Sequence, residues 1–132
     1  MSLAAVRIRR SEGGLPSASW GWPRLHRHDT LAPGFPAVDA VGRVDVLVNK
    51  AGILRDKAFH KMDATMIALV IDVHLKGACY VSQPALRWMR EQGYGRIINT
   101  TSASGMFGNF GQANYGAAKA GLAGLTRVLA LE

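Results

Sequence analysis

The sequence predicts an α/β fold: a strand–helix–strand–helix (βαβα) core on a partial parallel sheet, preceded by an irregular N-terminal arm. Three observations carry this. Two short β-branched runs, VDVLVN from Val44 and RIINTT over 96–101, each end in a turn, as buried parallel strands do. Apolar residues at helical spacings fill the stretch between them, and a second helical pattern follows the second run. Residues 1–42, in contrast, hold four of the five prolines and two of the three tryptophans, with no sustained period of 2 or 3.6.

Taken in order, 1–42 is expected to be an irregular, poorly ordered arm and 43–132 the folded domain. The first strand ends at the turn Lys50-Ala51-Gly52. A helix is expected from about Asp63, passing with or without a break into a second that ends near Glu91. Ala68, Val70, Ile71, Leu75, Val81, Leu86 and Met89 supply its apolar faces. Pro84 lacks an amide hydrogen and is expected to kink or offset the second helix, which Gly93 and Gly95 close. The strand at 96–101 follows, then a glycine-studded loop, then a helix from Ala113 with Leu122, Leu125, Val128 and Leu129 on its packing side. Parallel strands joined by helices imply a right-handed crossover.

Composition narrows the function classes. The chain has 132 residues, 48% of them hydrophobic, enough for one small packed domain. Its net charge of +7 would suit a polyanionic partner, but the Lys and Arg are scattered along the whole chain, so the charge alone is weak evidence for nucleic acid as a partner. Trp20, Trp22, His26 and His28 in the arm could in principle bind a polyanion by charge and stacking, but no element sets a geometry there for nucleic acid or for a metal. One cysteine, Cys79, excludes an intrachain disulfide and suggests a reducing, cytoplasmic setting. No uninterrupted apolar stretch approaches the roughly 20 residues of a membrane span.

The chemistry-bearing residues gather at the carboxyl ends of the two strands, where open α/β sheets bind ligands. Tyr115 and Lys119 stand at i and i+4 and so share a helix face. An ammonium one turn from a phenol stabilises the phenolate, which suits tyrosine to give and take a proton. Ser102, at the end of the second strand, can offer a hydroxyl to the same point. A bare YxxxK is a frequent accident, and Ser102 could equally be a helix cap. Gly105, Gly108 and Gly111 fit neither GxGxxG nor GxxxxGK[ST].

Four motifs in this order change that balance. VDVLVNKAG, DVHLKGA, GRIINTTSASG and YGAAK together resemble the short-chain dehydrogenase/reductase family over about 41–132. The finer wording, such as DVHLKG and SASGMFGNFGQANYGAAKAGLAGL, is similar to the 3-hydroxyacyl-CoA dehydrogenase branch found in peroxisomal multifunctional enzymes type 2 and bacterial relatives. The resemblance implies a partial Rossmann-like sheet and hydride transfer between a secondary alcohol or ketone and NAD or NADP. It implies Tyr115 as general acid/base, Lys119 as its tuner and a ligand of the nicotinamide ribose, and Ser102 as holder of the substrate oxygen. Asn49, Ala51 and Gly52 match the family's cofactor-cleft turn NNAG, with Lys50 in place of the second asparagine. His74 stands where most of the family has an asparagine that helps hold a proton-relay water. Homo-oligomerisation through the Tyr115 helix is implied as well. The family's TGxxxGxG turn is missing ahead of Val44, so the chain reads as truncated and, alone, as weakly active or inactive. The competing reading is a non-catalytic interaction module.

Overall fold

The computed structural model describes residues 4–7, 18–20 and 42–132. Four strands form one sheet in the order β2-β1-β3-β4: β1 (Ala4–Arg7), β2 (Ala18–Trp20), β3 (Val46–Asn49) and β4 (Arg96–Asn99). β1 runs antiparallel to β2 and to β3, while β3 and β4 are parallel, with Val46 opposite Arg96 and Asn49 opposite Asn99. Two strands thus lie within the segment that the sequence reading leaves irregular. The arm residues Trp22, His26 and His28 lie outside the described residues.

The parallel pair is the frame of the site. Val44 and Leu47 are fully buried, and the ladder runs past both strand ends through Arg96 N–H to Asp45 O (2.9 Å) and Thr100 N–H to Asn49 O (3.1 Å). β4 departs from expectation. It is shorter than 96–101 and only half-buried, with Ile98 50% exposed, because β4 is the edge of the sheet and nothing among the described residues covers its outer face.

One helical rod makes the crossover. Asp63 caps α1 (Ala64–Ile71) by accepting Met66 N–H at 2.8 Å. The rod then widens into a π-helical turn over Asp72–Lys76 and continues as α2 (Gly77–Glu91). Pro84 is held within α2, so the irregularity falls at the π turn rather than at the proline. Such turns recur at functional sites, and this one carries His74. Gly93, with φ +70°, ends α2, and Tyr94 N–H returns to Met89 O at 3.1 Å. Gln92 then ties α2 to the sheet through both backbone groups of Val44 (3.2 and 2.5 Å). The 28-residue rod is long and apolar enough to cross a membrane by length and composition. Its His74, Ala78, Ser82, Ala85 and Met89 are buried, as in the core helix of an α/β unit.

After β4 the sequence predicts a loop, but Ala103–Phe107 forms a short helix, α3, because Ser102 caps it by accepting Ser104 N–H at 3.2 Å. α4 (Ala113–Leu129) follows. Its buried stripe is Asn114, Ala118 and Leu122, with Lys119 beside it; Val128, expected on the packing side, is 52% exposed. Ala68, expected on an apolar face of α1, is exposed too.

Candidate active site

The site is assembled where β3 and β4 end. At the end of β3, buried Asn49 donates from Nδ2 to Ser82 Oγ (2.9 Å) and to Asn99 Oδ1 (2.8 Å). Its two donors are thereby engaged, one joining the sheet to α2 and the other joining β3 to β4. Lys50 points to solvent, so the turn is held by its neighbours instead. The next residues close on His74: Ile53 N–H and Ile53 O lie 3.0 and 2.8 Å from His74 Nε2, and the tautomer decides which contact is the hydrogen bond. Gly52 is required here, since a Cβ at that position would stand 2.6 Å from His74 Cε1.

His74 is 3% exposed and its ring meets the Tyr115 ring edge-to-face, 5.1 Å between centroids at 85°. Burial pushes its pKa below the ordinary 6.5; the Lys119 charge adds to this and the Ile53 backbone contact opposes it. The imidazole is therefore neutral at neutral pH, and its Nδ1 is buried with no hydrogen-bond partner among the described residues. Asn49, Ala51, Val73, His74 and Leu122 help line a cavity of about 10 Å³, room for one water at most.

Lys119 is 4% exposed, and its ammonium sits 5.7 Å from the centre of the Tyr115 ring. The end of β4 grips it twice: Nζ donates to Thr100 O (2.5 Å) and Thr101 Oγ1 donates to Lys119 O (2.9 Å). Desolvation lowers its pKa from 10.5. α3 is pressed against the same turn of α4, because a Cβ on Gly105 would lie 2.8 Å from Ala120 N and from Lys119 Cβ. Ser102, the cap of that helix, keeps its own hydroxyl proton free to donate while its oxygen accepts from Ser104.

The structure brings His74, Tyr115 and Lys119 into one contact set, with Gly52 against it, Asn49 and Ala51 on the adjoining cavity and Ser102 on the helix packed beside it. Sequence reasoning missed Asn114 and Gln112. Asn114 Nδ2 donates to Arg55 O (3.1 Å) and Met66 O (3.2 Å), while its Oδ1 accepts Tyr115 N–H (2.7 Å). Gln112 bridges Asp56 (2.8 Å), Ser104 (2.8 Å) and Asn109 (3.0 Å). The available signal was spacing: Asn114 stands four and eight residues before Ala118 and Leu122, a polar residue on a core stripe.

Fold and site define a parallel βαβα unit with a buried lysine beside a tyrosine ring at the carboxyl edge of its sheet. The family model described as short chain dehydrogenase matches residues 35–132, and the chain belongs to that family of oxidoreductases. It is 55% identical over 96 residues to the peroxisomal hydratase-dehydrogenase-epimerase of Neurospora crassa, covering 73% of this chain and 11% of that protein. It is 53% identical over 109 residues to an acetoacetyl-CoA reductase of an Acinetobacter species, covering 82% of this chain and 44% of the relative. The solved full-length peroxisomal multifunctional enzyme type 2 of Drosophila melanogaster superposes with a TM-score of 0.63 at 54% identity, over 64% of this chain and 16% of that one. The chain thus spans less than half the length of each of these relatives.

Proposed function

We propose that this chain carries the proton-handling side of a hydride-transfer site acting on a secondary alcohol or ketone, of the 3-hydroxyacyl-CoA and 3-oxoacyl-CoA class. The observation that carries the reading is the buried Lys119 ammonium, fixed on Thr100 O beside the Tyr115 ring. The substrate class follows from the relative named acetoacetyl-CoA reductase.

In this reading Tyr115 gives or takes the substrate proton, Ser102 donates to the substrate oxygen, and Lys119 holds the phenol's electrostatics. Neutral His74, whose Nδ1 has no partner among the described residues, can hold a water that passes the proton on. The donor set fits the nicotinamide half of NAD or NADP: Lys119 retains two N–H donors after Thr100, enough for a ribose diol. When bound, that cofactor supplies or accepts the hydride. The pyrophosphate end relies on a glycine-rich turn at a helix N-terminus, and no TGxxxGxG occurs in the 132 residues. The chain alone is accordingly expected to bind NADH and NADPH weakly and to turn over little acetoacetyl-CoA. Fluorescence titration tests this: failure to saturate at micromolar nucleotide agrees, and micromolar binding contradicts.

A second reading, an oligomerising module, is favoured by the open β4 edge and by exposed Tyr80, Trp88 and Val128 on α2 and α4. Light scattering that shows a monodisperse monomer would remove it.

A further inference from the structure

The geometry points to Asn114 as a positioning residue for Tyr115, acting through one buried amide on which three segments converge. The inference rests on the oxidoreductase reading above.

Asn114 is 3% exposed, and each polar atom of its side chain has a backbone partner. Its oxygen takes Tyr115 N–H, one of the first-turn donors of α4 that the helix cannot satisfy itself, so the amide fixes the backbone that carries the phenol. Its two N–H groups hold the carbonyls of Arg55, in the loop after β3, and of Met66, in α1. That loop is gripped a second time two residues earlier, where Ile53 meets His74. Since His74 also meets the Tyr115 ring, the contacts close a circuit: Tyr115 backbone, Asn114 amide, Arg55, Ile53, His74, Tyr115 ring. A residue that served only to fill the core stripe would be apolar, as Ala118 and Leu122 are one and two turns on. An aspartate would keep the acceptor but turn a charge toward two carbonyl oxygens, so the amide is required for both halves of the contact.

The test is heteronuclear NMR of the 132-residue chain and its variants. In the unmutated protein the two Asn114 Nδ2 protons should exchange slowly with solvent and show cross-peaks to Arg55 and Met66. Asn114→Ala and Asn114→Asp should each lose the mutual ring-current shifts and cross-peaks of His74 and Tyr115. The core control Leu122→Ala should keep them, although it is also destabilised. Retention of the His74–Tyr115 signature in both Asn114 variants overturns the inference. If neither variant folds, the unmutated chain decides: Nδ2 protons that exchange as fast as exposed amides overturn it, and protected ones support it. Neither signature depends on nucleotide, so a titration that sinks the oxidoreductase reading leaves them intact, and their loss leaves that reading standing.

Discussion

The two halves of α4 invert what hydropathy alone would assign. Its first half buries an asparagine and a lysine, Asn114 and Lys119, while its last turns leave Val128 52% and the following Leu131 90% exposed. The difference lies in what faces each half. The first meets the loop after β3, α1 and the end of β4, where backbone carbonyls at Arg55, Met66 and Thr100 receive both Asn114 Nδ2 donors and one donor of the Lys119 ammonium. The last turns meet an open groove of about 520 Å³ that Tyr94, Arg96, Ile97 and Leu129 help line. Burial in this helix follows the site and not the side chain's own polarity.

Substitutions that treat the halves alike should therefore give unlike results. Leu122→Ala, at a 2% exposed position, is expected to cost about 2–5 kcal/mol in urea unfolding. Equal costs for Leu122→Ala and Val128→Ala would break the comparison. Gly105→Ala should cost about 1–3 kcal/mol, because the new methyl meets the backbone of α4, which cannot swing aside as a side chain can. A smaller effect is expected from pH. The folded-state pKa of His74 lies below its unfolded value of 6.5, so between the two the unfolded chain binds the extra proton. Stability falls as pH drops through that window and levels off below it; His74→Gln should remove that part of the slope in urea midpoints compared across pH. Smallest of all, Val128→Ala should stay within about 0.5 kcal/mol.

Much of this was legible in the sequence, for identifiable reasons. Tyr115 and Lys119 could be paired because helical spacing is local, and the crossover could be read because strands and helices alternate in the core. The short helix at Ala103–Phe107 was not legible, since it depends on Ser102 acting as a cap and on Gly105 admitting the backbone of α4. Nor was the exposure of Ile98, which reflects a place at the sheet edge and not its β-branched character. The role of Asn114 needed the fold, because its partners Arg55 and Met66 are far away in sequence.

The end of β4 and the first half of α4 together withdraw the Lys119 ammonium from water beside the Tyr115 ring. An NMR pH titration of the Lys119 Cε resonance tests this most directly. The structure predicts a midpoint below 10.5, because the ammonium is withdrawn from water. A midpoint at or above 10.5, as for a lysine in solvent, would contradict it.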